Sequence, residues 1–346
     1  MSRRRHGYRG SGKHIGVLIP LLAVLCIAAA VALFLINDNM TFTKDGAFFG
    51  KKEVKAHKTE KPNLVIENDA EAEDSEKEKM PEQEDNKPSV PESTEERAYF
   101  IGLDKVISEA PLDGIPDGVN TVVFEVKSED GRLAFESDSK LAEGDKIVVG
   151  SDEKLKSAIA SAHDKGYKVS LCMSCFKDNE AARKNQVYAC RTANKVIWLD
   201  GENVRWLSAY SKKAQEYLVG IVEKLCTFGA DGIVLSNISF PYYGKCELLY
   251  YDESLGTKAE QLESFITDAK AAAGDVRLSA VYDNLRGRYL TESGQNVEIF
   301  KAFDKIYVSE TAGKRTSEYS AAEKEFGSSL CPIVGAVKDS GSFMVK

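Results

Sequence analysis

Four carboxylates fall where short apolar runs of the chain end: Glu125, Asp178, Asp283 and Glu310. Two carboxyl groups at one site, one protonated and one ionised, are the equipment for acid–base hydrolysis. Glu125, Asp283 and Glu310 are therefore the catalytic candidates. Asp178 opens a helix-like stretch, where Asp favours the N-cap, so it stands as a cap and as a binding residue. Asp283 precedes Asn284 and fits a turn as well as a catalytic position. Glu125 and Lys127 lie two residues apart in an extended run, which predicts that they share one face. There they either orient a substrate hydroxyl or form an interior ion pair.

Other chemistries find little support. Beyond the first apolar run the chain has only His57 and His163, so no Ser-His-Asp arrangement forms. Cys172 and Cys175 have redox spacing but lie in a strand run and not at a helix N-terminus, where thiolates are stabilised. Buried or structural thiols are expected, and no His cluster accompanies them to make a metal site. No glycine-rich dinucleotide fingerprint follows a strand, so no cofactor is implied. No basic patch with interleaved aromatics appears, which excludes nucleic acid.

The elements that must position these groups alternate. Strand-like runs cover 99–103, 121–127, 168–174, 232–238, 277–283, 305–310, 330–336 and, weakly, 342–345. Helical signals are clearest at 152–165, 211–228 and 258–273. Repeated βα units predict a (β/α)8 TIM barrel over 98–346, incomplete at its C-terminal end. An open doubly wound sheet is the alternative, without its phosphate fingerprint. Gly229 to Pro241 reads as a helix end, a buried strand and a stop. That places Ser236 and Asn237 at a strand's carboxyl end, where such folds put their chemistry.

Glu125 within Gly118–Lys127, Phe176-Lys-Asp178, Trp198-Leu-Asp200 and Ala230–Pro241 together resemble a bacterial glycosyl-hydrolase-like family with an α-amylase-like TIM barrel. The resemblance covers most of 98–241 and weakens after Asp283. It implies a barrel acting on polysaccharide or oligosaccharide. Family positions differ here: Ser236 stands at an acidic position, Ser239 and Cys172 at arginine positions, and Tyr307–Glu310 replaces the sixth-strand pattern. Sugar rings stack on aromatic faces. Tyr210, Tyr242, Tyr243 and Tyr282 are accordingly candidates for substrate contact, with Lys127, Asp178, Ser236 and Asn237.

The N-terminal third is built differently. Residues 1–14 are basic, and 15–36 carry no charge over roughly 33 Å of helix, enough to cross a bilayer. The basic flank predicts an uncleaved signal anchor with its N-terminus in the cytoplasm and the barrel outside; cleavage near Ala28–Ala32 is the competing expectation. Residues 37–97 are expected to be a disordered acidic stalk, which holds much of the net charge of −8. These readings combine into a membrane-anchored barrel acting on cell-envelope or external polysaccharide, or into a degenerate carbohydrate-binding or scaffold protein.

Overall fold

The computed structural model describes residues 40–43, 46–49 and 95–346, apart from 145, 284–289 and 311–316. The expected anchor at 15–36 and most of the stalk lie outside the described residues. Among those that are described, no helix is long and apolar enough to cross a membrane. The chain divides into two units, 1–85 and 86–346. In the first, Met40–Thr43 pairs antiparallel with Gly46–Phe49, within the segment expected to be unstructured.

The second unit is a closed, all-parallel barrel of eight strands in sequential order. They are β1 (Arg97–Ile101), β2 (Thr121–Lys127), β3 (Lys168–Ser174), β4 (Gly232–Ser236), β5 (Arg277–Tyr282), β6 (Ile306–Ser309), β7 (Leu330–Val334) and β8 (Phe343–Val345). Parallel strands covered on both faces read as nearly continuous apolar runs, as β2 and β3 do. Ala98, Val123, Cys172, Val234, Tyr307, Cys331 and Met344 form one buried cluster inside the barrel. Alternate residues such as Phe124, Leu171 and Ile233 join the larger cluster against the helices. The short β8 completes closure, with Met344 opposite Ile333 of β7 on one side and Ala98 of β1 on the other.

The helices begin where their caps predict. α1 (Asp152–Asp164), α2 (Asn179–Lys184) and α3 (Lys212–Cys226) start at Ser151, Asp178 and Ser211, each of whose side chains accepts a backbone N–H of the first turn. α4 (Lys258–Ala273) has a full capping box between Thr257 and Glu260. Gly229 follows α3 with φ 78°, a left-handed conformation that suits glycine.

Two details depart from the simple period. Between β2 and β3 the register shifts, with Glu125 opposite Cys172 and Lys127 opposite Met173. Val126 is thus the extra residue of a bulge. Cys172 faces the interior and Met173 the helix layer. Glu125 therefore points inward while Lys127 points outward, which corrects the expectation that they share a face.

The second detail is at the barrel floor, just ahead of Arg97. Glu96 is 7% exposed. Its carboxylate accepts a hydrogen bond from the Tyr307 hydroxyl and pairs with Arg277 Nη1 at 2.5 Å. Arg277 Nη2 also donates to Ser170 Oγ at 3.2 Å. Truncating Glu96 leaves a partly buried guanidinium and a buried phenol without their acceptor. We expect Glu96→Ala to lose about 3 kcal/mol in urea unfolding, with little effect on groups at the opposite end of the barrel.

Candidate functional site

The site is built at the carboxyl ends of β2 to β5, starting from the bulge. Glu125 lies half-buried on the inner wall, where its Oε2 accepts the Leu103 N–H at 3.0 Å. Burial raises its pKa; the Leu103 N–H and the charge of Lys346 oppose the rise, whereas Glu129 and Asp130 add to it. After Lys127 the chain turns back on itself, with Ser128 N donating to Arg132 O and Gly131 N to Ser128 O, both at 3.0 Å. The tip of this turn carries Glu129 into the mouth.

Glu129 is the hub of the site. Its Oε2 lies 2.6 Å from Lys177 Nζ, and its Oε1 accepts from Asn237 Nδ2 at 3.2 Å. The same amide nitrogen donates to Ser174 Oγ at 3.0 Å. Asn237 has φ 52°, a left-handed conformation that Asn tolerates better than most residues. It thus holds the end of β4 in a strained turn aimed at Glu129, the kind of backbone feature found at functional sites.

Lys177 is 6% exposed and also pairs with Glu202 at 3.1 Å, its ammonium 5.4 Å from the Tyr243 ring centroid. Burial works against its charge, but Glu129 and Glu202 outweigh it and hold its pKa above the ordinary value. Tyr243 donates to Asp200 Oδ2 at 2.6 Å, and the same oxygen accepts Trp206 Nε1 at 2.9 Å. This bracing makes the ring a rigid rim of the mouth.

Asp283 leaves β5 half-buried, with its N–H bonded to Gln295 Oε1 at 3.0 Å. Burial, and then the charge of Glu129, push its carboxyl up to about 6 against the pull of Lys346 and Lys177. Tyr242 stands close enough to feel the Asp283 charge, although burial contributes most to its raised pKa. Lys346 reaches over the barrel, its ammonium 4.4 Å from the Phe100 ring centroid.

The structure thus gathers Glu125, Asp283, Ser236, Asn237, Tyr242 and Tyr243 of the expected residues. Ser236 is half-buried and donates to Met173 O at 3.2 Å. Lys127 and Asp178 leave the list of substrate contacts, because neither has exposed surface and they pair with each other at 2.8 Å. Tyr282 is also corrected. Val281 faces the barrel interior, so Tyr282 turns outward and packs on Phe300 and Phe326. Tyr210 lines a separate groove of about 630 Å³, with its hydroxyl on Gly256 O at 2.8 Å. Glu310 is held by Lys338 at 2.5 Å.

Glu129, Lys177 and Lys346 did not emerge from the sequence. Glu129 lies just past the strand-like run at 121–127, and Lys177 beside a residue that reads as a cap. Among the described residues no three His, Cys, Asp or Glu side chains group to hold a metal.

An eight-stranded closed parallel barrel with helices between its strands defines a (β/α)8 protein. The chain belongs to the family described as "Putative glycosyl hydrolase domain", which matches residues 109–304, more than half of its length. β1 and β6 to β8 lie outside the match. No curated protein matches the chain in sequence. Among solved structures it is similar to a hypothetical protein from Ruminiclostridium thermocellum, at 24% identity and TM-score 0.46, covering 53% of this chain and 96% of that one. It is also similar to the glycoside hydrolase domain of PelA from Pseudomonas aeruginosa, at 13% identity and TM-score 0.42, covering 68% and 82%. A third is the Group II chitinase catalytic domain 2 of Ostrinia furnacalis, at 13% identity and TM-score 0.42, covering 69% and 63%.

Two outcomes follow from the coupled carboxylates. A carboxyl whose folded pKa is raised binds its proton more tightly in the native state, so the stability it contributes is lost as pH rises from about 4 to about 6. Asp283→Asn removes that loss, and we expect roughly 1–3 kcal/mol higher stability than wild type at pH 7.5 and near equality below pH 4, read by calorimetry. Glu129→Gln removes a negative neighbour and frees Lys177. The Asp283 midpoint, followed by carboxyl carbon NMR, then drops toward the ordinary aspartate range.

Proposed function

We propose that the barrel binds a glycan across its carboxyl-end mouth and hydrolyses a glycosidic bond there. Asp283 is the general acid, and Glu129, held by Lys177, is the second carboxylate, with Glu125 on the inner wall beside it. One observation carries this reading: Asp283 is pushed up to about 6 while Glu129 is ion-paired with Lys177 at 2.6 Å. A carboxyl that holds its proton to higher pH, facing a second carboxylate fixed in an ion pair, is the arrangement from which acid–base hydrolysis is built. Tyr242 and the braced Tyr243 supply ring faces for sugars at the same rim. Membership of the glycosyl hydrolase family supports the same chemistry.

The second reading is a barrel that binds glycan without cleaving it. It is favoured by Ser236, whose hydroxyl is engaged with the Met173 carbonyl where the resemblance expects an acid. For the whole chain we propose a membrane-anchored protein whose barrel faces cell-envelope or external polysaccharide. The uncharged run at 15–36 with its basic flank supports this placement. Protection of the barrel from protease added to intact cells would count against it.

Incubation of the purified protein with a polysaccharide panel that includes peptidoglycan, chitin and α-glucans, followed by reducing-end release, separates the two readings. Hydrolysis should fall about 10²–10⁴-fold in both Asp283→Asn and Glu129→Gln. Undiminished hydrolysis in either variant removes that residue from the mechanism. Saturable binding with no release by wild type favours the second reading.

A further inference from the structure

Lys127 and Asp178 have no exposed surface, and Lys127 Nζ lies 2.8 Å from Asp178 Oδ2. Taking two charges from water is costly, and apolar residues of similar size are often as stable. Stability alone therefore accounts poorly for the pair, and its connections are more informative.

Lys127 Nζ also donates to the Ser174 carbonyl at 2.7 Å, tying the end of β2 to the end of β3. Asp178 Oδ1 caps α2 through Ala181 N at 2.9 Å. The first N–H groups of α2 in turn hold the turn that carries Glu129, with Asn179 N on Glu129 O and Glu180 N on Asp130 O, both at 3.3 Å. Gly131 seats this turn directly on the pair: a Cβ there would lie 2.4 Å from Asp178 Oδ1. Ser174, whose carbonyl Lys127 holds, presents its Oγ to Asn237, and Asn237 bonds Glu129. Both routes from the buried pair end at one residue, the first on the Glu129 backbone carbonyl and the second on its carboxylate.

We propose that the Lys127–Asp178 pair is a positioning device that locks the β2 bulge and sets where the Glu129 carboxylate stands in the mouth. The lock has two parts. The bulge sends Lys127 out of the barrel, and Asp178, fixed as the cap of α2, receives it. Asp178 is the counter-ion that the ammonium meets on the helix side, and the same side chain caps the helix whose first N–H groups hold the turn at 128–131. Neither residue touches the mouth. What Glu129 does there rests on the function proposed above, but its placement by the pair does not.

The test uses the full chain and two readouts, the NMR midpoint of Asp283 and affinity for whichever glycan of the panel wild type binds. The groups acting on Asp283 are Glu129, Lys346 and Lys177, so a change at the buried pair reaches it through their positions. Lys127→Met alone leaves a buried carboxylate unpaired and should lower Tm by about 10 °C. The double variant Lys127→Met with Asp178→Asn keeps the cap and removes both charges, and most of the Tm should return. In that stable variant we expect the Asp283 midpoint to fall by about half a unit or more and glycan affinity to drop about tenfold. A wild-type midpoint in the folded double variant overturns the proposal and leaves the pair a structural contact. Should the double variant fail to fold, Lys127→Leu with Asp178→Asn decides by the same comparison, since it removes the same two charges with a different apolar fill and keeps the cap. If wild type binds no glycan, the proposed function fails while the midpoint comparison still judges the positioning.

Discussion

Glu129 and Lys177 form an ion pair at the edge of solvent, and the order of the mouth is arranged around it. A lysine with 6% exposure keeps its charge only if anions face it, and Glu129 and Glu202 supply them from separate loops. That requirement draws together the turn after β2 and the long loop after β3. Asn237 then closes the circle from β4, and the charge retained on Glu129 acts on Asp283 across the mouth. One electrostatic demand thus links the exits of four strands.

The barrel was largely legible because its strands are covered on both faces. Such strands must be apolar throughout, so the runs at 121–127 and 168–174 mark β2 and β3 to the residue. Helix starts were legible for a different reason: Ser151, Asp178 and Ser211 satisfy N–H groups that nothing else in the helix can reach.

The site was legible only in part, and the misses share a cause. A period of two assigns faces correctly until one residue is inserted, and Val126 is that residue. Lys127 accordingly crosses from the mouth to the helix layer, and the sequence carries no local mark of the crossing. Tyr282 shows the opposite case, since the period holds but its phase had to be taken from Val281. Glu129 and Lys346 were invisible for a third reason: nothing within their own segments says that folding brings each beside the same aspartate.

The barrel floor has a mechanical meaning as well as a chemical one. β1 lies between β2 and β8, and the residue before it is fastened by Tyr307, Arg277 and Ser342 Oγ. A pull on the chain ahead of Glu95 runs along β1 and loads both neighbouring ladders in shear, many hydrogen bonds at once. The first strand is therefore a firm point of attachment, able to carry tension from the preceding chain while the opposite end of the barrel keeps its shape.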